Sequence, residues 1–412
     1  MCLPGEPASA LLPIFDPAFK ADPHPFYAAL RRLAGVSRMR LPSGTGVWIV
    51  LRYDHARKLL RDPRLSKVPQ REDGAAPKHA LFNHLLTMDP PSHAVARSVL
   101  APCFSPRVLR AFEPRVSGLV DALLQRIPCD DEPFDVLTAF AGPLAQSVVC
   151  ELVGVPDDVR ESLARGLDDL DRADFDAPDR VPGITQHLFD TLLGVCNRRA
   201  SLPPESLLAT LCAARDHGSI PPEQVVSLTY LVLAAGRETA ANLIANGLLR
   251  LLTRPPTWAE LARAPQHAGA LVEELLRLES PLEMATARYA IADIAIDDTT
   301  IRAGDTVFVG LAASNRDPLA FERPDELDLS RTAGSKHLAF GYGIHRCLGA
   351  ILARIEARIA LARLAAHFPS LELAVPAGQL AWKPGLITRG LQNLPVRRGA
   401  PGRKTFADLL PG

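Results

Sequence analysis

Residues 340–349 read Phe340-Gly341-Tyr342-Gly343-Ile344-His345-Arg346-Cys347-Leu348-Gly349, and a run with helical spacing follows over residues 350–365. Two glycines ahead of the cysteine permit a tight turn, and Gly349 lets a planar or bulky group approach the start of the next helix closely. A cysteine at that place lies near the positive end of the helix dipole, which favours its thiolate. Amide hydrogens aimed at the sulfur then tune its electron donation. Taken alone, a cysteine in a glycine-containing loop also reads as a small buried hydrophobe.

The pattern Phe-x-x-Gly-x-His-x-Cys-x-Gly closely resembles the haem-binding loop of the cytochrome P-450 family, in which the cysteine is the axial thiolate. The resemblance implies haem b as cofactor, Cys347 as the iron ligand, and Phe340, Gly341 and Gly349 as parts of the loop that receives the porphyrin. It also implies a mainly α fold with minor β sheets, a triangular prism of helices around a buried haem.

Three stretches upstream extend the match. Ala235-Gly236-Arg237-Glu238-Thr239 lies inside a long helical run. A mid-helix glycine costs roughly 1 kcal/mol relative to alanine, and Thr239 can divert hydrogen bonding from the Ala235 carbonyl four residues back, which predicts a local groove. By itself Gly-x-Glu-Thr also reads as a helix-packing site. In the family it is the oxygen-activation motif, which implies Glu238 and Thr239 as the acid and alcohol that deliver protons and Ala235 as a haem contact.

Glu274-Leu275-Leu276-Arg277 puts an acid and a base on one helix face. Alone, that pair reads as a solvated bridge, but Leu271, Val272, Leu275, Leu276 and Leu278 point to a buried helix. The family match adds Arg331, in the segment Leu327-Asp328-Leu329-Ser330-Arg331, as the third member of a structural triad. Finally, Met88-Asp89-Pro90-Pro91-Ser92-His93-Ala94-Val95-Ala96-Arg97 introduces a helix with His93 and Arg97 four residues apart. Without the resemblance they read as surface groups. With it, they join Arg288 and His345 as partners of the haem propionates.

The match runs from Asp22-Pro23 to Gly390-Leu391-Gln392-Asn393-Leu394-Pro395-Val396, and is similar to the soluble bacterial branch, with His345 in the propionate position. Arg237 stands where histidine or another residue is frequent, Leu327 replaces a phenylalanine, and Ile351 replaces a proline. The chain is expected to be one domain over 1–412, with a β-rich part in 1–65, a helical core over 92–290, and the cysteine loop with its following helix over 335–365.

Composition agrees. The 412 residues carry 46 Lys+Arg against 46 Asp+Glu, so neither a nucleic-acid footprint nor an acidic tail is expected. The seven cysteines, at 2, 103, 129, 150, 196, 212 and 347, form no CxxC pair and predict reduced thiols in a cytoplasmic protein. Pro4, Pro7, Pro13, Asp16, Lys20 and Asp22 interrupt any apolar leader, and no membrane anchor is expected. Helices are predicted over 25–33, 53–61 and 222–252, the last bounded by Pro221-Pro222 and Pro255-Pro256. Strands are predicted over 47–51, 291–296, 306–311 and 371–375.

The functional expectation is a monomeric haem-thiolate monooxygenase that inserts one oxygen atom of O2 by hydroxylation or epoxidation, taking electrons from a ferredoxin and ferredoxin reductase. Arg97, Arg107, Arg110, Arg346 and Arg354 are expected to frame the docking face. Matching segments suggest a substrate wall of Leu85, Leu86, Leu231, Ala234, Leu282, Met284, Thr286, Leu386, Ile387 and Thr388, with Glu283 turned into a local hydrogen-bond network. That wall predicts an apolar secondary-metabolite-sized substrate such as a macrolide, terpenoid or steroid. A peroxide-driven or non-oxidative haem-thiolate enzyme, and a haem-binding sensor without turnover, are the competing readings.

Overall fold

Proline sets many of the helix starts, because its fixed φ suits a first turn whose N–H has no intrahelical partner. The computed structural model describes residues 10–69, 79–128, 132–198, 202–331 and 336–399. Its helices are α1 (Pro17–Ala21), α2 (His24–Leu33), α3 (Tyr53–Leu59), α4 (Ser92–Leu100), α5 (Pro106–Leu124), α6 (Gly142–Val153) and α7 (Asp157–Asp176). They continue as α8 (Val181–Asn197), α9 (Leu207–Asp216), α10 (Pro222–Leu252), α11 (Pro255–Arg263), α12 (Ala268–Leu278), α13 (Leu311–Ser314) and α14 (Ala350–His367). The strands are β1 (Val36–Arg40), β2 (Gly46–Val50), β3 (Leu65–Ser66), β4 (Phe134–Asp135), β5 (Arg288–Ala290), β6 (Ile294–Ile296), β7 (Thr299–Ile301), β8 (Thr306–Val309), β9 (Leu371–Leu373) and β10 (Pro395–Arg398).

The mainly helical architecture agrees with expectation, and α10 has the bounds that its flanking prolines predict. It is apolar on nearly every side, as a helix must be to cross the middle of a core. α6, α8, α9, α11, α12 and α14 all pack on it, and at about 1.5 Å per residue it spans about 45 Å. The fifth helix has Ser105 as its N-cap, accepting from the Val108 N–H, and buries Leu109, Phe112, Val116 and Val120 along one face against α14 and α6.

The segment up to residue 65 departs from the β-rich expectation. Its described part holds three helices beside β1, β2 and the start of β3. Its strands belong to a five-stranded sheet, ordered β1-β2-β8-β5-β3, which is completed by chain some 240 residues downstream, with β2 parallel to β8. Alternation in a short window cannot reveal such a distant partner. Of the strand expected over 291–296 only Ile294–Ile296 forms, as β6 in a hairpin with β7, while β5 ends just before it at Ala290.

Candidate active site

Residues 225–230 and 240–248 of α10 are all buried, yet between them, over 231–239, only Leu233 is. Ala235 is exposed in the middle of the helix that crosses the core, and Leu231, Ala234 and Thr239 are partly exposed on the same face. A central helix with an accessible middle borders interior space. The Thr239 hydroxyl donates to the Ala235 carbonyl at 2.7 Å, as its position predicts. The helix nevertheless stays continuous here, so the expected groove is not seen and the opening comes from small side chains. Gly236 serves packing: a Cβ there would stand 3.0 Å from Val149 of α6.

Two segments frame this opening. Upstream, Ser227 donates to the Asn83 carbonyl at 2.7 Å, and the Phe82 and His84 rings meet Tyr230, which brings the turn holding Leu85 and Leu86 onto α10. Downstream, Asn246 donates to the Arg389 carbonyl at 3.0 Å and Lys383 pairs with Glu238 at 3.1 Å. The Glu283 N–H donates to the Ile387 carbonyl, the Arg389 N–H donates to the Pro281 carbonyl, and Leu282 bridges Thr388, so residues 281–284 lie beside 387–389.

Leu86, Leu282, Thr286, Leu386 and Ile387 keep accessible surface, and Leu85 keeps little. Met284 is corrected: it is 0% exposed and belongs to the buried cluster of Leu12, Tyr27 and Met39. Glu283 turns inward as expected, accepting from the Tyr27 hydroxyl at 2.8 Å and pairing with Lys20. Arg237, whose partners were not foreseen, pairs with Asp168 and Asp171 of α7.

The cysteine loop leads into α14, which packs on α10. Gly341 and Gly343 have positive φ, and a Cβ on Gly343 would meet the Leu60 carbonyl at 2.8 Å, so the second glycine is required twice over. The Cys347 N–H donates to the Phe340 carbonyl at 2.9 Å and closes the turn. Cys347 retains accessible surface. Burial pushes its thiol up, while the Gly349 N–H and the guanidiniums of Arg97, Arg346 and Arg354 favour the thiolate.

Beside the loop, His93 and His345 bring their rings to 4.2 Å. Nε2 of His93 and Nδ1 of His345 are buried without a partner, at a cost that calls for an explanation. Burial, together with His93, Lys67 and Arg288, holds His345 down to about 3. Arg288 is itself buried and is lowered to about 10 by that burial. Arg97 donates to the Arg346 carbonyl at 2.7 Å. Against Lys67, His93, Arg97, Arg288 and His345 stands the carboxylate of Asp89, which also accepts from the Lys67 N–H at 2.9 Å. Such a cluster matches a dianion. Lys67 carried no sequence signal, being a lone cation after a two-residue strand.

Two carboxylates of α12 hold the loop from behind. Glu274 takes both Nε and a terminal nitrogen of Arg277 at 2.9 Å, the Asp328 N–H at 3.1 Å and Arg331 at 3.3 Å. Arg277 spends its other hydrogens on the carbonyls of Asn315, Pro324 and Glu326, and Asn315 accepts from the Leu338 N–H at 2.6 Å, just ahead of the loop. Its neighbour Glu273, which the sequence reading passed over, binds Arg354 after the loop and His337 before it. Burial would raise Glu273, but the His337 and Arg354 hydrogen bonds prevail and bring it to about 2.

Comparison with known proteins agrees with this arrangement. Residues 256–374 match the family described as Cytochrome P450. The vitamin D(3) 25-hydroxylase of Pseudonocardia autotrophica is 38% identical over 395 residues, covering 94% of this chain and 96% of that protein. The cytochrome P450 monooxygenase PikC of Streptomyces venezuelae is 40% identical, covering 94% of each. The tirandamycin C-bound structure of the P450 monooxygenase TamI superposes with a TM-score of 0.84 at 36% identity, covering 95% of this chain and 100% of that one. With a cysteine loop, a cationic cluster and a central helix of this form, the chain belongs to the cytochrome P450 family and is a monooxygenase that binds haem b.

Proposed function

We propose that this enzyme hydroxylates or epoxidises a neutral, largely apolar molecule of secondary-metabolite size, with Cys347 as the iron ligand. The observation that carries the proposal is the accessible middle of α10 beside an apolar wall whose one nearby acid, Glu283, is already paired. The residues present fit haem b: the orphaned nitrogens of His93 and His345, with Arg97 and Arg288, would hold the two propionates, and Lys67, whose ammonium donates to Thr286 and Ala287, would add its charge. Phe340, Gly341, Gly349 and Ala235 would leave room for the ring. When bound, the haem supplies an iron centre that activates O2, and thiolate ligation favours O–O cleavage.

The protein's own share is positioning and proton control. Burial raises the Cys347 thiol, the Gly349 N–H and the nearby guanidiniums oppose that rise, and on iron the sulfur would be held as the thiolate. Thr239 holds a proton at Oγ1, directed at the Ala235 carbonyl and able to turn toward the accessible space. Glu238, held by Lys383, would resupply that proton. Two electrons would come singly from a ferredoxin, and one oxygen atom would leave as water. Arg107, Arg110 and Arg346 are exposed and suit an acidic docking partner. Arg354 is committed to Glu273 and adds less than expected.

The substrate wall consists of Leu86, Leu231, Ala234, Leu282, Leu386 and Ile387. Thr286 adds little polarity, since its hydroxyl is engaged by Lys67 at 2.5 Å. Relatives named for hydroxylating vitamin D(3) and holding tirandamycin C support a bulky ligand. Five free cysteines among the described residues accord with a cytoplasmic setting. Titration with steroids, terpenoids and macrolides should give a low-to-high spin shift, and Ala234→Phe should abolish it for the bulkiest. A shift confined to small or charged molecules, with normal binding of large ligands by the phenylalanine variant, contradicts the proposal.

A further inference from the structure

Away from the cysteine loop, a cavity of about 390 Å³ lies between the start of α2, the end of α10 and the chain after α13. Four guanidiniums line it, those of Arg31, Arg250, Arg254 and Arg316, together with His24 and the carboxylates of Asp22 and Asp325. The charges are not equally committed. Arg31 donates to the carbonyls of Ala313 and Arg316, and Arg316 donates to the Leu278 carbonyl and pairs with Glu279 and Asp325. Asp22 accepts the His24 backbone N–H at 3.3 Å.

The rest of the lining is less fully engaged, though its unpartnered nitrogens have almost no accessible surface with the side chains as they stand. Arg250 donates one terminal nitrogen to the Asp325 carbonyl and pairs through the other with Glu279 at 3.8 Å, but its Nε is buried without a partner. Arg254 also lines the cavity, is exposed, and has no ion-pair partner among the described residues. Both ring nitrogens of His24 are buried and unpartnered. Burial and the guanidiniums of Arg316, Arg389, Arg250 and Arg31 hold this imidazole far below its usual range, so at neutral pH it presents one N–H and one lone pair. Leaving both unmet inside a protein costs free energy.

We infer that this cavity binds a phosphate group, free or carried as a monoester by a small molecule. An ionised carboxylate only accepts hydrogen bonds, so it satisfies the guanidiniums and the imidazole N–H but not the lone pair. A phosphate near neutral pH, with its second pKa about 6, carries acceptor oxygens and, in its monoanion, an O–H as well. The first turn of α2 adds the positive end of a ten-residue helix. The cavity exceeds one phosphate, which leaves space for an organic body against Pro25, Tyr27 and Ala28.

The test is calorimetric titration of the haem-loaded enzyme, its iron saturated with an azole, using inorganic phosphate, glycerol phosphate and citrate in a phosphate-free buffer. Saturable binding of one or both phosphate compounds is expected, weakened about tenfold or more in Arg254→Ala and partly restored in Arg254→Lys. Because Arg254 is exposed, the variant should keep the wild-type absorption spectrum and thermal midpoint. Tighter binding of glycerol phosphate assigns the site to a monoester, and equal binding to free phosphate. No saturable binding of either, unchanged binding by Arg254→Ala, or citrate binding as tightly as phosphate would overturn the inference.

Discussion

Around the cysteine loop the polar groups of the supporting helix are spent on fixed partners. Glu274 and Arg277 are 2% and 0% exposed, and between them they engage three backbone carbonyls, a backbone N–H and Arg331. The middle of α10 is the reverse. Its ionic partners come from α7 and from the C-terminal stretch, and they are far more exposed: Asp168 at 47%, Asp171 at 55% and Lys383 at 42%. One region is locked by buried charge that cannot be left unpaired, the other is joined across a cleft by pairs that water can replace. The difference suits a ligand loop that must hold its sulfur still and a pocket that must admit a bulky molecule.

The largest loss is expected on the buried side. Arg277→Ala strands Glu274 in the interior, at a cost of about 3 to 5 kcal/mol, so thermal unfolding should show a large loss of stability and haem should be poorly retained. A wild-type melting temperature and full haem content would make the pair dispensable.

Glu273 sharpens it through pH. Its folded-state pKa of about 2 lies below the ordinary 4.5, so the stabilisation is complete above about 4.5 and is lost as pH falls toward 2. With the side chain a quarter exposed, the effect at neutral pH is on the order of 3 kcal/mol at most. Glu273→Gln should therefore be clearly less stable than wild type at pH 7, and the gap should narrow on acidification. A gap constant with pH would show that Glu273 acts by packing alone.

On the open side the effects on stability should be small. Thr239→Ala and Lys383→Ala should each change stability by less than about 1 kcal/mol, because the hydroxyl bonds a carbonyl of its own helix and the lysine pair is solvent-screened. Thr239→Ala should nevertheless divert reducing equivalents to peroxide, with Lys383→Ala having the milder effect. Unchanged coupling of electrons to product in both would remove this face from proton delivery.

The same contrast governs what could be read from the chain. The cysteine loop, the α12 pair and the prolines bounding α10 are local patterns, so they were legible, while Arg331, 57 residues beyond Glu274, came only from the family resemblance. Glu273, Lys67, Asp168, Asp171 and Lys383 are ordinary charges whose meaning comes from partners dozens to hundreds of residues away. Met284 misled for a related reason. The matching segment alone placed it in the wall, but it bridges Gly310 and joins the buried cluster around Tyr27, contacts that lie far off in the chain. The N-terminal strands were visible, whereas their sheet depends on β5 and β8.

The proposed function requires Cys347 to be the one thiolate that the protein offers the iron. The most direct measurement is the absorption spectrum of the ferrous carbonyl complex of Cys347→His beside the wild type, with Cys103→Ser as a control for a buried thiol whose pKa is raised by its surroundings. The wild type and the control should both give the strongly red-shifted Soret band that thiolate ligation produces, and Cys347→His should lose it while still binding haem. Persistence of that band in Cys347→His would mean that another cysteine is the ligand.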